Sequence, residues 1–334
     1  MLNILVTGAF GNVGRSTVAA CLAEGDQVTI LEADTKRTRR LAHHLERSWT
    51  RLGRRPVIVL GDVRDPEMGR RAAAGQDAVL HLAALIPPAA DRFPELAHSV
   101  NVGGTANLIA ACRELPTHPR FVFASSVAAY GDRLSNYWIR TGDALEPSPD
   151  DEYGRTKVEA EALLRSSELP FVILRLGAIM WRKKLDPDPL LFSMPLLTKL
   201  EICHTEDTGR AFAKAARQEG ILGRTLDIGG GQSCRTDYRS FLDRMFGLIG
   251  LGGVAHFPTK AFALSGFHCG WYADSDEAEE RLGFRSKGLE DYYAEVAEEM
   301  RFIKPLAALA APLVRLRMLA GSPYYRLAMN SSRS

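Results

Sequence analysis

The chain has 334 residues, 46% of them hydrophobic and 25% charged, which is enough for a full globular core and excludes a disordered or fibrous chain. A formal net charge of +2, with no long basic run, argues against nucleic acid as a partner. Five scattered cysteines (Cys21, Cys112, Cys203, Cys234 and Cys269), odd in number and without a C-x-x-C pair, exclude a zinc framework or disulfide scaffold and favour a reducing compartment. There is no charged-then-apolar leader and no apolar run near the ~20 residues that span a bilayer, so a cytoplasmic protein is expected.

Read in chain order, "NILVT", "QVTIL", "PVIVL", "DAVLHL", "RFVFAS" and "PFVILRL" are short, continuous apolar runs rich in Val, Ile and Phe, the pattern of buried strands. Amphipathic segments lie between them, such as "STVAACLAEG", ending on Gly25, and "VNVGGTANLIAACREL", stopping before Pro116. Strand–helix–strand repetition with short linkers predicts right-handed crossovers and a Rossmann-type, doubly wound parallel α/β sheet. Regularity frays after Leu176 in the proline-broken "WRKKLDPDPLLFSMPLLTK" and returns with "EDTGRAFAKAARQ" and "RTLDIGG". The expected layout is a dinucleotide-binding domain over 1–175 with returns near 204–229. A smaller, partly interleaved substrate lobe follows over 176–203 and 230–300, then an amphipathic tail over 301–334.

The first strand runs into "GAFGNVG", which places Gly8, Gly11 and Gly14 between a strand and a helix. Gly8 permits the tight turn, Gly11 the approach of main chain to a phosphate, and Gly14 the packing of helix on strand. Free N–H groups and the dipole at the helix start favour a diphosphate there. A mononucleotide P-loop would need glycine where Val13 stands and a lysine role that Arg15 does not fill. At the end of the second strand, Glu32 falls where an acidic side chain accepts hydrogen bonds from the adenosine ribose. This favours NAD, since a carboxylate repels a 2′-phosphate. Asp34 stands close enough to share the role. The cluster Lys36, Arg37, Arg39 and Arg40 keeps NADP open, although a solvated helix face is the preferred reading of it.

In "DDEYGRTKVEAEALL", Tyr153 and Lys157 are four apart on one helix face. A free phenol, with a pKa of about 10, is a poor acid–base at neutral pH; a neighbouring ammonium is expected to lower that value. "FVFASSVAAYG" ends a strand on Ser125 and Ser126, and the strand C-termini of an open parallel sheet are where ligands bind. Capping of the following turn is the structural alternative for these serines.

Together these pieces resemble the extended short-chain dehydrogenase/reductases, also called the NAD-dependent epimerase/dehydratase family. "TGAFGNVG", "GDVRD", "HLAA", "NVGGTANLIAAC", "FVFASSVAAYG", "YGRTK", "ILRLGAI", "HTEDTGRAFAKA" and "LDIGGG" stand in the family's order over nearly the whole chain. The resemblance implies a catalytic set of Ser126, Tyr153 and Lys157, with Ser125 structural. Tyr153 would move a proton to or from a substrate oxygen, Lys157 would bind the nicotinamide ribose, and Ser126 would orient the carbonyl or alcohol. The implied cofactor set is Gly8, Phe10, Gly11, Asn12, Val13, Gly14, Glu32, Asp62, Val63, Leu82, Ala83, Ala84 and Asn101 with Tyr153 and Lys157. A homodimer is likewise implied.

Family members acting on nucleotide sugars read "R-P-x-x-V-Y-G-P" after the sixth strand; here "RLGAIMWRKK" puts Leu176 for proline and Met180–Trp181 for tyrosine–glycine. The segment that follows is also short, which disfavours a sugar epimerase, although Arg175, Arg182, Lys183 and Lys184 keep an anion site open. "LIPPAADRFPEL" and "LLFSMPLL" suggest an apolar pocket for a small or hydrophobic ketone or alcohol, with Ile86 and Trp181 as substrate residues alongside Ser126; packing of the small lobe is the competing reading. His43, His44, His81 and His204 lack metal-binding spacing, so no metal is expected. Pro312 is expected to break the tail into short helices. Packing on the parent domain or a partner subunit is preferred for the tail over a membrane-surface role. The expected function is therefore an NAD(P)-dependent oxidoreductase, with a sugar-nucleotide epimerase or dehydratase retaining NAD, and a non-catalytic cofactor-binding regulator, as the alternatives.

Overall fold

In the computed structural model, which describes residues 1–52, 55–180 and 190–331, seven strands build one sheet whose pairings are all parallel. They are β1 (Asn3–Thr7), β2 (Gln27–Glu32), β3 (Val57–Leu60), β4 (Ala78–His81), β5 (Arg120–Ser126), β7 (Phe171–Leu176) and β10 (Thr225–Ile228), in the spatial order β10-β7-β5-β4-β1-β2-β3. The order reverses between β1 and β4, which opens a crevice at their C-terminal ends.

Both faces of this sheet are covered, and that is why its strands read as unbroken apolar runs. Successive residues point to opposite faces: Ile4 and Val6 join one core, Leu5 the other, and Val122 and Ala124 are separated from Phe121 and Phe123 in the same way. On one face pack α1 (Asn12–Ala23), α2 (Lys36–Thr50), α8 (Thr205–Ala215) and α10 (Ser275–Leu282). On the other lie α3 (Pro66–Ala73), α6 (Gly104–Arg113) and α7 (Glu152–Arg165). Between β4 and α6 run α4 (Ala89–Arg92), α5 (Pro94–His98) and a wide helical turn over Ser99–Gly103.

A third core belongs to the second lobe. Its strands are β8 (Ala178–Met180), β9 (Lys199–His204) and β11 (Arg235–Asp237), with β9 central, and β6 (Trp138–Ile139) pairs with β12 (Trp271–Tyr272). Helices α9 (Tyr238–Leu248) and α11 (Leu289–Met300) complete this lobe. Residues 205–228 return to the main sheet as α8 and β10, so the two lobes are threaded through each other.

The tail departs from expectation. Residues Lys304–Gly321 form one helix, α12, that runs straight through Pro312, followed by α13 (Pro323–Ser331). Proline removes one N–H and its bond to the carbonyl four residues back. That residue, Ala308, is exposed, where a carbonyl without its helical partner can be hydrated at little cost. Ala311, Val314, Met318 and Leu319 pack α12 onto the third core, and the buried Ser322 donates its hydroxyl to the Ala261 carbonyl at 2.6 Å. No helix among the described residues is long and apolar enough to cross a membrane.

Candidate active site

A cleft of about 1540 Å³ follows the C-terminal edge of the sheet and continues between the lobes. One end is built by the glycine turn. Gly8 sits at φ +69°, and a Cβ there would stand 2.6 Å from the Ala83 nitrogen. A Cβ on Gly14 would stand 2.2 Å from the Gly8 carbonyl oxygen, so the start of α1 lies directly on the turn. Gly11 is the N-cap of α1 and offers no side chain to its first-turn N–H groups. The main chain is thus bared toward the cleft at a helix N-terminus, which fits a diphosphate.

Gly11, Asn12, Val13, Glu32, Asp62, Val63, Leu82, Ala83 and Ala84 all line this cleft, as do Gly8 and Gly14. Glu32 accepts the Phe10 N–H at 2.9 Å, and burial raises its pKa above the ordinary carboxylate range. Asp34 is held by both ends of the Arg39 guanidinium, at 2.5 and 2.7 Å, so that arginine's charge is already matched. Asp62 is similarly engaged by Arg64, which holds its pKa below the ordinary range.

Two residues of the expected cofactor set do not line the cleft. The Phe10 side chain turns into the core against Trp49, with ring centroids 6.0 Å apart, leaving only its backbone at the turn. Asn101 is buried; its amide accepts from the Leu85 N–H at 2.7 Å and donates to the Leu85 carbonyl and Thr156 hydroxyl at 3.0 Å each. It braces the loop after β4 against α7. Trp181 lies outside the described residues.

Ser126, Tyr153 and Lys157 come together in the middle of the cleft. Asp151 caps α7 by accepting the Gly154 N–H at 2.7 Å, which sets the first turn that carries Tyr153. The Lys157 ammonium group is buried, donates to the Ala124 carbonyl at 2.8 Å, and lies 4.8 Å from the Phe123 ring centroid and 5.5 Å from that of Tyr153. Burial takes the lysine pKa down to about 7 against a weaker opposing pull from Glu161. The expected depression of the phenol is not found. Burial pushes the Tyr153 pKa up to about 12, with the Asp151 carboxylate adding to it and Ser126 opposing it only in part.

The serines divide their work. Ser125 donates to Glu161 at 2.6 Å and is tied into the buried framework. Ser126 faces Tyr153 and also accepts the Ala128 N–H at 3.1 Å, so it caps the turn as well. His81 bridges Thr7 at 2.7 Å and Thr105 at 2.9 Å, and burial lowers its pKa to about 3. His204 meets Glu295 of α11 at 3.0 Å, joining two parts of the chain. No cluster suited to a metal occurs among the described residues.

The far end of the cleft is lined by Ile86 and by parts of the two stretches read from sequence as apolar wall, together with Ile179, Phe267, His268 and Tyr324, which sequence reasoning missed. Ile86, Pro87, Leu96, Ile179, Leu190, Phe267 and Tyr324 supply apolar wall, and Asp91, Asp150, Asp151 and His268 supply polar groups. His268 Nδ1 lies 3.1 Å from an Asp151 carboxylate oxygen, and burial raises the Asp91 pKa. Among the polar groups the only local signal was Asp151, an N-cap residue two before the tyrosine. His268 comes from a loop over a hundred residues later, and no periodicity marks it.

A parallel sheet with a glycine turn at its switch point and a Ser–Tyr–Lys cluster beside it defines a dinucleotide-binding α/β protein of the short-chain reductase architecture. The sequence profile of the NAD dependent epimerase/dehydratase family matches residues 4–229, and the chain belongs to that family. It is 32% identical over 193 residues to the D-erythronate dehydrogenase of Cupriavidus necator, covering 54% of this chain and 56% of that one. It is 35% identical over 173 residues to the L-arabinose 1-dehydrogenase (NAD(P)(+)) of Haloferax volcanii, covering 49% of this chain and 60% of that one. The match thus spans little more than half the length of these relatives. Among solved structures, it resembles a UDP-glucose-4-epimerase from Stenotrophomonas maltophila with bound NAD and formylated UDP-arabinopyranose (TM-score 0.73, 19% identity, 92% of this chain and 100% of that one). It also resembles an Agrobacterium tumefaciens short-chain dehydrogenase/reductase superfamily protein with bound NAD (TM-score 0.65, 24% identity, 91% and 98%). At these identities the likeness is one of fold.

Proposed function

We propose that the protein is an NAD(P)-dependent oxidoreductase that interconverts a carbonyl and an alcohol on an uncharged small molecule. The observation that carries the choice of substrate class is the charge of the cleft. Among its described lining residues the only lysine and arginine are Lys157 and Arg64, and Arg64 is already paired with Asp62. Four carboxylates, Asp91, Asp132, Asp150 and Asp151, line the remainder. Such a surface repels a substrate diphosphate but accepts hydrogen bonds from hydroxyl groups, which speaks against a nucleotide sugar. The dehydrogenase names of the two curated relatives support the oxidoreductase class, and the L-arabinose 1-dehydrogenase, named for an uncharged sugar, supports the substrate class; the D-erythronate dehydrogenase is named for an anion.

The glycine turn, Glu32, Asp62, Val63 and the Leu82–Ala84 strand end would hold the dinucleotide, whose nicotinamide, when bound, supplies or accepts the hydride. Glu32 favours NAD over NADP. Tyr153, protonated at neutral pH, donates its proton to the carbonyl oxygen, and Ser126 orients that oxygen with its hydroxyl. Lys157, near half-protonation at pH 7, stands within the same buried cluster to restore the proton.

The test is a steady-state assay of purified protein with NAD and NADP against arabinose, aldonates, aliphatic alcohols and UDP-glucose. Release of NADH or NADPH with an uncharged alcohol is expected. Epimerisation of UDP-glucose, with NAD retained and no net turnover of the others, would overturn the proposal.

A further inference from the structure

The outer face of α12 is apolar where a globular protein presents polar groups. Leu306, Leu309, Leu313 and Leu316 are 69%, 82%, 74% and 65% exposed, and their spacing of three, four and three residues sets them in one stripe. Phe302 extends the stripe at its start, and Leu327 on α13 is exposed as well. The other side of the helix faces the protein: Ala311 is buried in the third core, and Val314, Met318 and Leu319 pack against it. The stripe is therefore a surface presented by a packed element.

Charge indicates what covers it. From Arg301 to the last residue the sequence has six basic residues, Arg301, Lys304, Arg315, Arg317, Arg326 and Arg333, and no Asp or Glu. Lys304, Arg317 and Arg326 are exposed, and Lys260 joins them by lying 5.4 Å over the Tyr325 ring. Pairing this face with a second copy would set basic residue against basic residue with no acidic partner in the segment. A bilayer carrying anionic headgroups satisfies both features, since it takes up the leucines and matches the positive charge. We infer that α12 and α13 form a docking element for the surface of an anionic phospholipid membrane.

Tyr324, on the same helical pair, lines the cleft, so docking would bring the cleft mouth to the membrane surface. This inference does not depend on the proposed reaction.

Full-length protein is sedimented with vesicles of phosphatidylcholine containing about 30% phosphatidylglycerol, and with phosphatidylcholine alone. Binding to the anionic vesicles is expected, at least tenfold weaker to the neutral ones and lost in about 0.5 M salt. Arg317→Gln with Arg326→Gln is expected to cut the partition coefficient about twenty-five-fold, about fivefold for each residue. Leu309→Gln with Leu313→Gln should cut it at least tenfold. An unchanged melting midpoint and unchanged dinucleotide binding show that both variants fold. Three results would each overturn the inference: no sedimentation with either vesicle, equal binding to both, or a dimer by light scattering that the leucine variant dissociates in protein that ignores vesicles.

Discussion

Lys157→Met separates what the buried amine does for chemistry from what it does to stability. The lysine pKa lies at about 7 in the fold against an ordinary 10.5, so between those values the folded chain binds fewer protons than the unfolded one. Stability contributed at this site therefore rises with pH across that window. At about 1.4 kcal/mol per pH unit, the desolvation penalty near pH 7 is about 4–5 kcal/mol. Against this stands the Nζ–Ala124 hydrogen bond at 2.8 Å, whose loss with an orphaned carbonyl costs about 2 kcal/mol. The variant is thus expected to be about 2–3 kcal/mol more stable than the parent at pH 7. The advantage shrinks with rising pH, vanishes at about pH 9, where the penalty has fallen to about 2 kcal/mol, and is reversed at 10.5 and above, where the amine is mostly neutral in both states. Urea unfolding of both proteins at several pH values between 7 and 10.5 measures the difference, and the same samples should lose at least a hundredfold in turnover. A variant less stable than the parent at pH 7, or a difference independent of pH, would refute the assignment of a desolvated lysine that titrates near 7.

Tyr153→Phe should lower turnover by about a hundredfold to ten-thousandfold while leaving the dinucleotide dissociation constant within about threefold by calorimetry. Retained turnover would remove the phenol from the reaction. With the Tyr153 pKa near 12, alcohol oxidation, which needs the phenolate, should rise with pH through 9, whereas carbonyl reduction, which needs the phenol, stays level. An oxidation rate already flat at neutral pH would show that the phenol ionises far below that value. Gly14→Ala would drive a Cβ into the Gly8 carbonyl, costing about 1–3 kcal/mol of stability and abolishing dinucleotide binding in the same titration. Unaltered binding would mean that the turn does not carry the cofactor.

Six of the seven strands of the main sheet were legible because burial on both faces turns each into a continuous apolar run, and those runs coincide with the observed strands. The small pairings were not. β6 and β12 are two residues each and stand more than a hundred residues apart, so neither carries a pattern of its own. The Tyr153–Lys157 spacing could be read from helix geometry alone, but the direction of the tyrosine shift could not, since it depends on which strands and rings remove water from the pair. Phe10 and Asn101 were assigned by position in a motif. Their side chains follow tertiary needs, an aromatic contact with Trp49 and a brace to Leu85, that the motif does not encode. The polar groups of the substrate end, Asp91 and His268, come from loops of both lobes and leave almost no sequence signature.

Burial lowers the Lys157 pKa, and the ownership of one carboxylate explains why little opposes it. Glu161 stands one turn beyond Lys157 on α7 and would be its natural counter-ion. Its oxygens are instead taken by Arg175 at 2.9 and 2.7 Å, by Ser125 at 2.6 Å and by Arg165 at 3.2 Å. Burial alone would raise the Glu161 pKa, and the Arg175 contacts hold it below the ordinary range. Arg175 also donates to Tyr130 at 2.7 Å, and Tyr130 donates to Asp227 at 2.9 Å, so the network closes on itself beneath the cleft. With its charge matched there, Glu161 offers Lys157 little, and the amine is left with a carbonyl and two ring faces. Burial of the neighbouring phenol leaves it protonated at neutral pH. Under the proposed reaction, a carbonyl oxygen entering the cleft at neutral pH would therefore meet a protonated phenol.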